Sequence, residues 1–155
     1  MSIELDDYDR KIIQHLQING RLTNQELAEL VGLSTSQCSR RRILLEQKNV
    51  ITGYYAQIAV NADPAQITGM IEVKIGNYND ESYRRFIYFL QNEPTVRDVY
   101  KLTGSYDYLL KVAVKNLDAL VKLIGELSSA NYAISSLNTS IILEKIKENH
   151  INLRD

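Results

Sequence analysis

The chain has 155 residues, 45% hydrophobic and 24% charged, with 7 Gly and 2 Pro, a balance that excludes collagenous, low-complexity and disordered classes. Its apolar runs fall far short of the ~18–20 residues a membrane span needs, and the single cysteine, Cys38, excludes an intramolecular disulfide framework or a multi-cysteine metal site. The formal charge of −1, from 18 Lys+Arg against 19 Asp+Glu, on its face also speaks against a nucleic-acid partner.

That charge is polarised along the chain. Of the 7 acids in residues 1–62, 6 precede residue 30, whereas residues 34–45 hold 3 arginines and no acid. The first 50 residues read as short helices and the remainder alternates strand-like and helix-like segments. The change falls near residues 50–62, ahead of the turn-like Asn61-Ala62-Asp63-Pro64.

Asp6 or Asp7 opens the first helix, where a carboxylate complements the partial positive charge of a helix N-terminus. Ile12, Ile13 and Leu16, with Tyr8 or Asp9 a turn earlier, make one stripe through Gln17, and Asn19-Gly20 stops it. Thr23-Asn24-Gln25-Glu26 fits a capping box, the hydroxyl on a backbone N–H and the Glu reaching back. The helix it opens buries Leu27, Ala28, Leu30 and Val31, and Gly32 ends it with positive φ. Ser34-Thr35-Ser36-Gln37 repeats the capping signal at once and opens a third helix to about Lys48. Two capped helices separated by Gly32-Leu33 describe a helix-turn-helix.

On the third helix Cys38, Leu45 and position 42 point one way, while Ser36, Arg40, Ile43 and Gln47 point the other, flanked by Gln37, Ser39 and Leu44. The outward N-terminal face carries hydroxyls, an amide and a guanidinium, groups that bond base edges and phosphates in a major groove. Thr35, Ser36, Gln37, Ser39, Arg40 and Arg41 are therefore the candidate DNA contacts. A solvated face is the plain alternative, and the capped helix and glycine turn ahead of it favour DNA. Cys38 reads as a small buried hydrophobe rather than a reactive thiol, because it faces inward.

Residues 70–75 alternate, with Ile71, Val73 and Ile75 on one face of a strand. Tyr83, Phe86, Ile87 and Leu90 have the spacing of one helix face. Residues 95–103 and 108–114 read as strands joined across Gly104-Ser105-Tyr106-Asp107. Leu117, Leu120, Val121, Ile124 and Leu127 form another helical stripe, and a last strand spans about 135–146. The order β-α-β-β-α-β is that of a ferredoxin-like sandwich, so the fold class is α+β. Apolar residues on both sheet faces, Leu109 and Ala113 against Leu110, Val112 and Val114, suggest self-association through the face without helices.

These residues carry a resemblance. Leu5-Asp6…Asp9, Leu16-Gln17…Asn19-Gly20-Arg21, Glu26-Leu27-Ala28, Val31-Gly32-Leu33-Ser34 and Leu45-Glu46 are followed by Val50-Ile51…Gly53-Tyr54 and Gly104…Asp107-Tyr108-Leu109-Leu110. In that order, over essentially the whole chain, the sequence resembles the Lrp/AsnC (feast/famine) family of prokaryotic transcription regulators. The resemblance implies a winged or plain helix-turn-helix DNA-binding domain over residues 1–50 and a strand or linker over 51–64. A ferredoxin-like effector-binding and oligomerisation domain follows over 65–155. It further implies double-stranded DNA as partner, homodimers with sheets paired back to back and assembling further, often to octamers, and an amino acid or related metabolite bound between dimers. Carried over by position, the effector lining is Thr103, Gly104, Ser105, Asp107 and Tyr108, with Asn138, Thr139 and Ser140 from the last strand. Asp107 suits an ammonium, while loop N–H groups and hydroxyls suit a carboxylate. Plain turn chemistry is the alternative for Gly104 and Asp107, as plain strand hydroxyls are for Thr139 and Ser140.

One position departs from the family pattern. The residue after Arg41 is usually Ile or Val facing the core; here it is Arg42, with Ile43 where a basic residue is common. A buried unpaired guanidinium is expensive, so Arg42 is expected to snorkel or to pair with an acid, with Asp6, Asp7 and Asp9 as candidates.

The function expected is a sequence-specific DNA-binding regulator responding to a small metabolite. Some proteins similar to this family decarboxylate sirohaem using histidine and arginine of the sandwich domain, but the histidines here, His15 and His150, fall on the first helix and in the C-terminal tail. A metabolite-binding assembly protein without DNA affinity is the third reading, opposed by the arginine-rich third helix. Nothing resembles a phosphate-cradling loop, a metal cluster or a nucleophile triad, so no catalytic residue, metal or cofactor beyond the effector is expected. The acidic opening is unlike a leader, and the cytoplasm is the expected location.

Overall fold

The computed structural model describes residues 4–56, 58, 62–76, 79–129, 132–148 and the backbone of 151–152, and it divides into two compact units, Met1–Gln57 and Ile58–Asp155. Asn61 of the expected turn and His150 lie outside the described residues.

The first unit is built from α1 (Asp7–Ile18), α2 (Asn24–Val31) and α3 (Thr35–Gln47). All three begin with reciprocal capping boxes, on Asp6, Thr23 and Ser34, so two backbone N–H groups per helix start are satisfied locally. Gly32, at φ 77°, ends α2 in the left-handed region and turns the chain into α3. Ile12, Leu16, Leu27, Ala28, Val31, Cys38 and Leu45 form the core. Leu30, expected inside, stands 52% exposed, because Leu27, Ala28 and Val31 already define the buried face and position 30 falls at its edge. Of Tyr8 and Asp9, it is Asp9 that turns inward, towards α3. Among the described residues 51–56, none belongs to a strand.

The second unit contains β1 (Ile67–Ile75), α4 (Asp80–Asn92), β2 (Val96–Lys101), β3 (Tyr108–Val114), α5 (Leu117–Leu127) and β4 (Ile134–Ile141). The strands pair antiparallel in the order β2-β3-β1-β4, the ferredoxin-like arrangement. Phe86 and Leu90 from α4, and Leu120, Leu123 and Leu127 from α5, pack against Ile71, Val73, Leu110, Val112 and Val114. Each such side chain contributes about 1.5–3 kcal/mol by leaving water. The α5 stripe is rotated from expectation: Leu123 is buried, while Leu117 and Val121 stand 56% and 62% exposed.

β4 ends at Ile141 rather than continuing to residue 146. Gly69 pairs with Ile141, and the Ile142 N–H donates to the Thr68 carbonyl (2.8 Å) one residue after β1 begins, so the partner strand has run out. A short hairpin, β5 (Lys147–Glu148) with β6 (Ile151–Asn152), follows and was not anticipated. Glu148 accepts from Lys111 Nζ (2.8 Å), which also lies 3.8 Å from Asp98. The pair raises the Lys111 ammonium above its usual range and lowers the Glu148 carboxyl. The face away from the helices therefore mixes Leu109 and Ala113 with paired charges.

Candidate functional site

α3 exposes Thr35, Ser36, Gln37, Arg40, Ile43, Leu44 and Gln47, while Ser39 is half-buried and Cys38 fully buried. Burial pushes the Cys38 thiol up, away from reactivity. Gln37 is partly spent on the helix cap, its Oε1 accepting from Ser34 N–H (3.1 Å) and Ser34 Oγ (2.9 Å). The amide N–H groups of Gln37 are what remain for a ligand. Ser36 Oγ lies 3.2 Å from Ser34 Oγ.

The three arginines have three different surroundings. Arg40 is exposed and makes no hydrogen bond or ion pair among the described residues. Arg41 turns back to α1, donating from Nη1 to Asp6 Oδ2 (2.7 Å) and Asp9 Oδ1 (2.8 Å) and lying over the Tyr8 ring at 5.5 Å. The Asp9 backbone N–H, and then Arg41, hold the Asp6 carboxyl below the usual carboxylate range, and the two carboxylates raise Arg41. Arg41 is thus committed within the unit, which leaves Arg40 as the guanidinium free to reach phosphate or base.

Arg42 does pair with an acid, but not with one from α1. Its Nε donates to Tyr54 Oη (2.9 Å) and to Glu46 Oε1 (3.4 Å), its Nη1 donates to the Leu22 carbonyl (2.9 Å), and its plane stacks on the Tyr54 ring (4.8 Å). Tyr54 in turn donates to Glu46 Oε1 (2.8 Å), and burial followed by that carboxylate lifts its hydroxyl above the usual range. One residue step rotates a side chain about 100° around a helix, so position 41 meets the α1 acids and position 42 does not. The i, i+4 spacing of Arg42 and Glu46 was a readable signal. Nothing local announces Tyr54.

In the second unit, Thr103, Gly104 and Ser105 stand exposed in the loop between β2 and β3, with Gly104 at φ 123°. Asp107 is drawn inward: its Oδ2 accepts from the Ile75 N–H (2.8 Å), beside the irregular register of β1 and β4, and its Oδ1 lies 3.5 Å from Lys74 Nζ. The Ile75 N–H chiefly, then Lys74 and Lys101, keep this carboxyl below the usual range. Lys74 is a neighbour that sequence reading missed.

Tyr108, expected in the lining, is a core residue instead. It is 5% exposed, meets the Phe86 ring edge-on at 5.3 Å and donates to Tyr83 Oη (3.1 Å). Asn138, Thr139 and Ser140 do not form one surface either, since successive strand residues alternate faces. Thr139 pairs with fully buried Ile71 on the helix side, whereas Asn138 pairs with Glu72, donating to its Oε2 (2.7 Å), and Ser140 with Met70. His15 is half-buried in the last turn of α1. Among the described residues no helix is long and apolar enough to cross a membrane.

Comparison with known proteins accounts for both units. The AsnC-type helix-turn-helix domain profile matches residues 5–46, and the Lrp/AsnC ligand binding domain profile matches residues 68–151. The chain is 34% identical over 144 residues to the HTH-type transcriptional regulator AldR of Mycolicibacterium smegmatis, covering 93% of this chain and 84% of that protein. It is 32% identical over 146 residues to the leucine-responsive regulatory protein of Rhizobium meliloti, covering 94% of each. Among solved structures, a transcriptional regulator of Neisseria meningitidis in complex with L-Met superposes with a TM-score of 0.83 at 32% identity, covering 94% of each chain. The chain belongs to the Lrp/AsnC family of transcription regulators and is a DNA-binding regulator rather than an enzyme.

Proposed function

We propose that this regulator binds specific DNA sites through α3 and responds to an amino acid or related small metabolite held between dimers, which assemble further, to octamers. The observation that carries the reading is the exposed guanidinium of Arg40, unpaired among the described residues and set among Thr35, Ser36, Gln37 and Ser39 on the helix that follows a capped helix and a Gly32 turn. Residues 1–50 read DNA, 51–64 connect, and 65–155 bind effector and assemble. In a two-fold dimer, two copies of α3 enter successive major grooves of a pseudo-palindrome. A formal charge of −1 makes one subunit a weak nonspecific binder, and linked subunits supply avidity.

For the effector, support comes from the ligand-binding profile and from the L-Met complex of the Neisseria relative. Thr103, Gly104 and Ser105 are exposed, so a second chain has to supply the opposite wall. Asp107 offers an ammonium only the oxygen facing Lys74, the other being held by Ile75. A ligand so placed acts only by favouring one assembly or DNA-bound state over another.

The test selects duplexes from a random library with the full chain, then repeats binding with each of the twenty amino acids. The reading expects an enriched pseudo-palindrome and at least one amino acid that shifts its affinity or the assembly size. An unenriched pool overturns the DNA reading, and indifference to all twenty overturns an amino acid as the effector.

A further inference from the structure

We propose that the outer face of α4 carries a second small-molecule site, for an aromatic carboxylate, separate from the effector residues between β2 and β3. A cleft of about 630 Å³ lies along this helix, within the range of small-ligand pockets. Arg84, Tyr88 and Asn92 recur every four residues and form one line along α4, with Arg85 and Phe89 beside it. The floor is apolar and braced. The Phe89 and Tyr132 rings lie 5.2 Å apart and tilted by 37°, and Tyr132 also approaches buried Phe86 at 6.3 Å.

Two side chains at the rim have no partner among the described residues. Tyr88 stands 69% exposed, and among the described residues no other ring lies against it. Arg84 is exposed and has no hydrogen bond or ion pair among the described residues. Arg85 pairs with Glu81, one turn towards the helix start. Glu93 is the acid in the lining, and its Oε1 accepts from Thr95 N–H (3.1 Å) and Thr95 Oγ (2.7 Å). Arg84 is therefore the guanidinium of the cleft without a carboxylate partner among the described residues, beside the tilted aromatic pair of Phe89 and Tyr132. A planar ring stacks on the floor and against Tyr88, while its carboxylate takes the Arg84 fork in a two-pronged, charge-assisted contact.

The experiment is equilibrium dialysis of the full chain against labelled phenylacetate, which lacks the ammonium that an amino-acid effector site requires. Retention is expected, competed by unlabelled benzoate and not by phenylacetamide. Arg84→Gln and Tyr88→Ala each raise the dissociation constant, the former by about tenfold, while Arg84→Lys recovers part of the loss. Ser105→Ala, in the loop between β2 and β3, leaves retention unchanged. Both α4 positions are exposed, and circular dichroism of the variants verifies the fold. No retention, equal competition by phenylacetamide, an indifferent Arg84→Gln, or an equal loss in Ser105→Ala each overturns the proposal.

Discussion

Residues 40–42 on α3 and residues 138–140 on β4 are two runs of three adjacent polar side chains, dispersed in different ways by the elements that carry them. The helix spreads Arg40, Arg41 and Arg42 around its axis, towards solvent, towards Asp6 and Asp9, and towards Tyr54 and the Leu22 carbonyl. The strand splits Asn138 and Ser140 from Thr139 onto opposite faces. Adjacent residues therefore do different work in both units. On α3 a single arginine is left for an external ligand, and the other two fasten the helix that presents it.

The largest expected effect is on the fastening. Arg42→Ala leaves the Leu22 carbonyl without its donor and removes the cation beside Glu46 and Tyr54, which keep their own hydrogen bond, and should cost about 1–3 kcal/mol in urea unfolding of the full chain followed by the helix signal. Arg42→Met keeps the apolar stem over Tyr54 and should cost less. A loss under about 0.5 kcal/mol in Arg42→Ala, the range of ordinary surface changes, would show that the network holds nothing.

A smaller effect separates Arg40 from Arg41. Arg40→Ala should weaken binding to a selected duplex about tenfold and reduce the salt slope by about 0.9 per subunit engaged, with the melting temperature unchanged. Arg41→Ala should lower the melting temperature and leave the salt slope near that of the parent, because its charge is already matched by Asp6 and Asp9. Anisotropy titrations at several salt concentrations measure both. Equal slopes in the two variants would erase the distinction between a contact arginine and a fastening one.

Legibility in the sequence followed the range of the interaction. The caps at Thr23 and Ser34 join residues three apart and are readable in the sequence, whereas at the first helix the sequence leaves Asp6 and Asp7 as equal openers; the burial of Cys38 and Leu45 is readable too, since helical period alone dictates it. The partners of Arg41 lie 32 and 35 positions away and were assigned instead to Arg42, because periodicity says which way a side chain points and not what waits there. The same holds for Asp107, whose oxygen is claimed by Ile75 from 32 positions back. The family resemblance implies Tyr108 in the lining, whereas the alternation of β3 puts its side chain in the core with Leu110 and Val112. The end of β4 depends on where β1 begins, which no reading of β4 alone contains.

The smallest effect expected is a pH dependence in the fastening of Arg41. In the folded chain the Asp6 carboxyl is held below its ordinary value by the Asp9 N–H and by Arg41, so the folded state binds the proton less readily than the unfolded chain does. The stabilisation is then fully present above the ordinary carboxylate value of about 4 and is lost as pH falls through the lower folded value. Thermal melts of the parent between pH 6 and roughly pH 2 should therefore decline more steeply below pH 4 than those of Asp6→Asn, whose amide carries no such proton. The variant should be less stable than the parent at neutral pH, and the two should converge at the acid end. Because Asp6 is exposed, the gap at pH 7 is expected to be modest, and salt should narrow it further. Parallel curves across the whole range would place the acid sensitivity of the helical unit elsewhere and reduce the Asp6 contact with Arg41 to a surface pairing that does not orient α3.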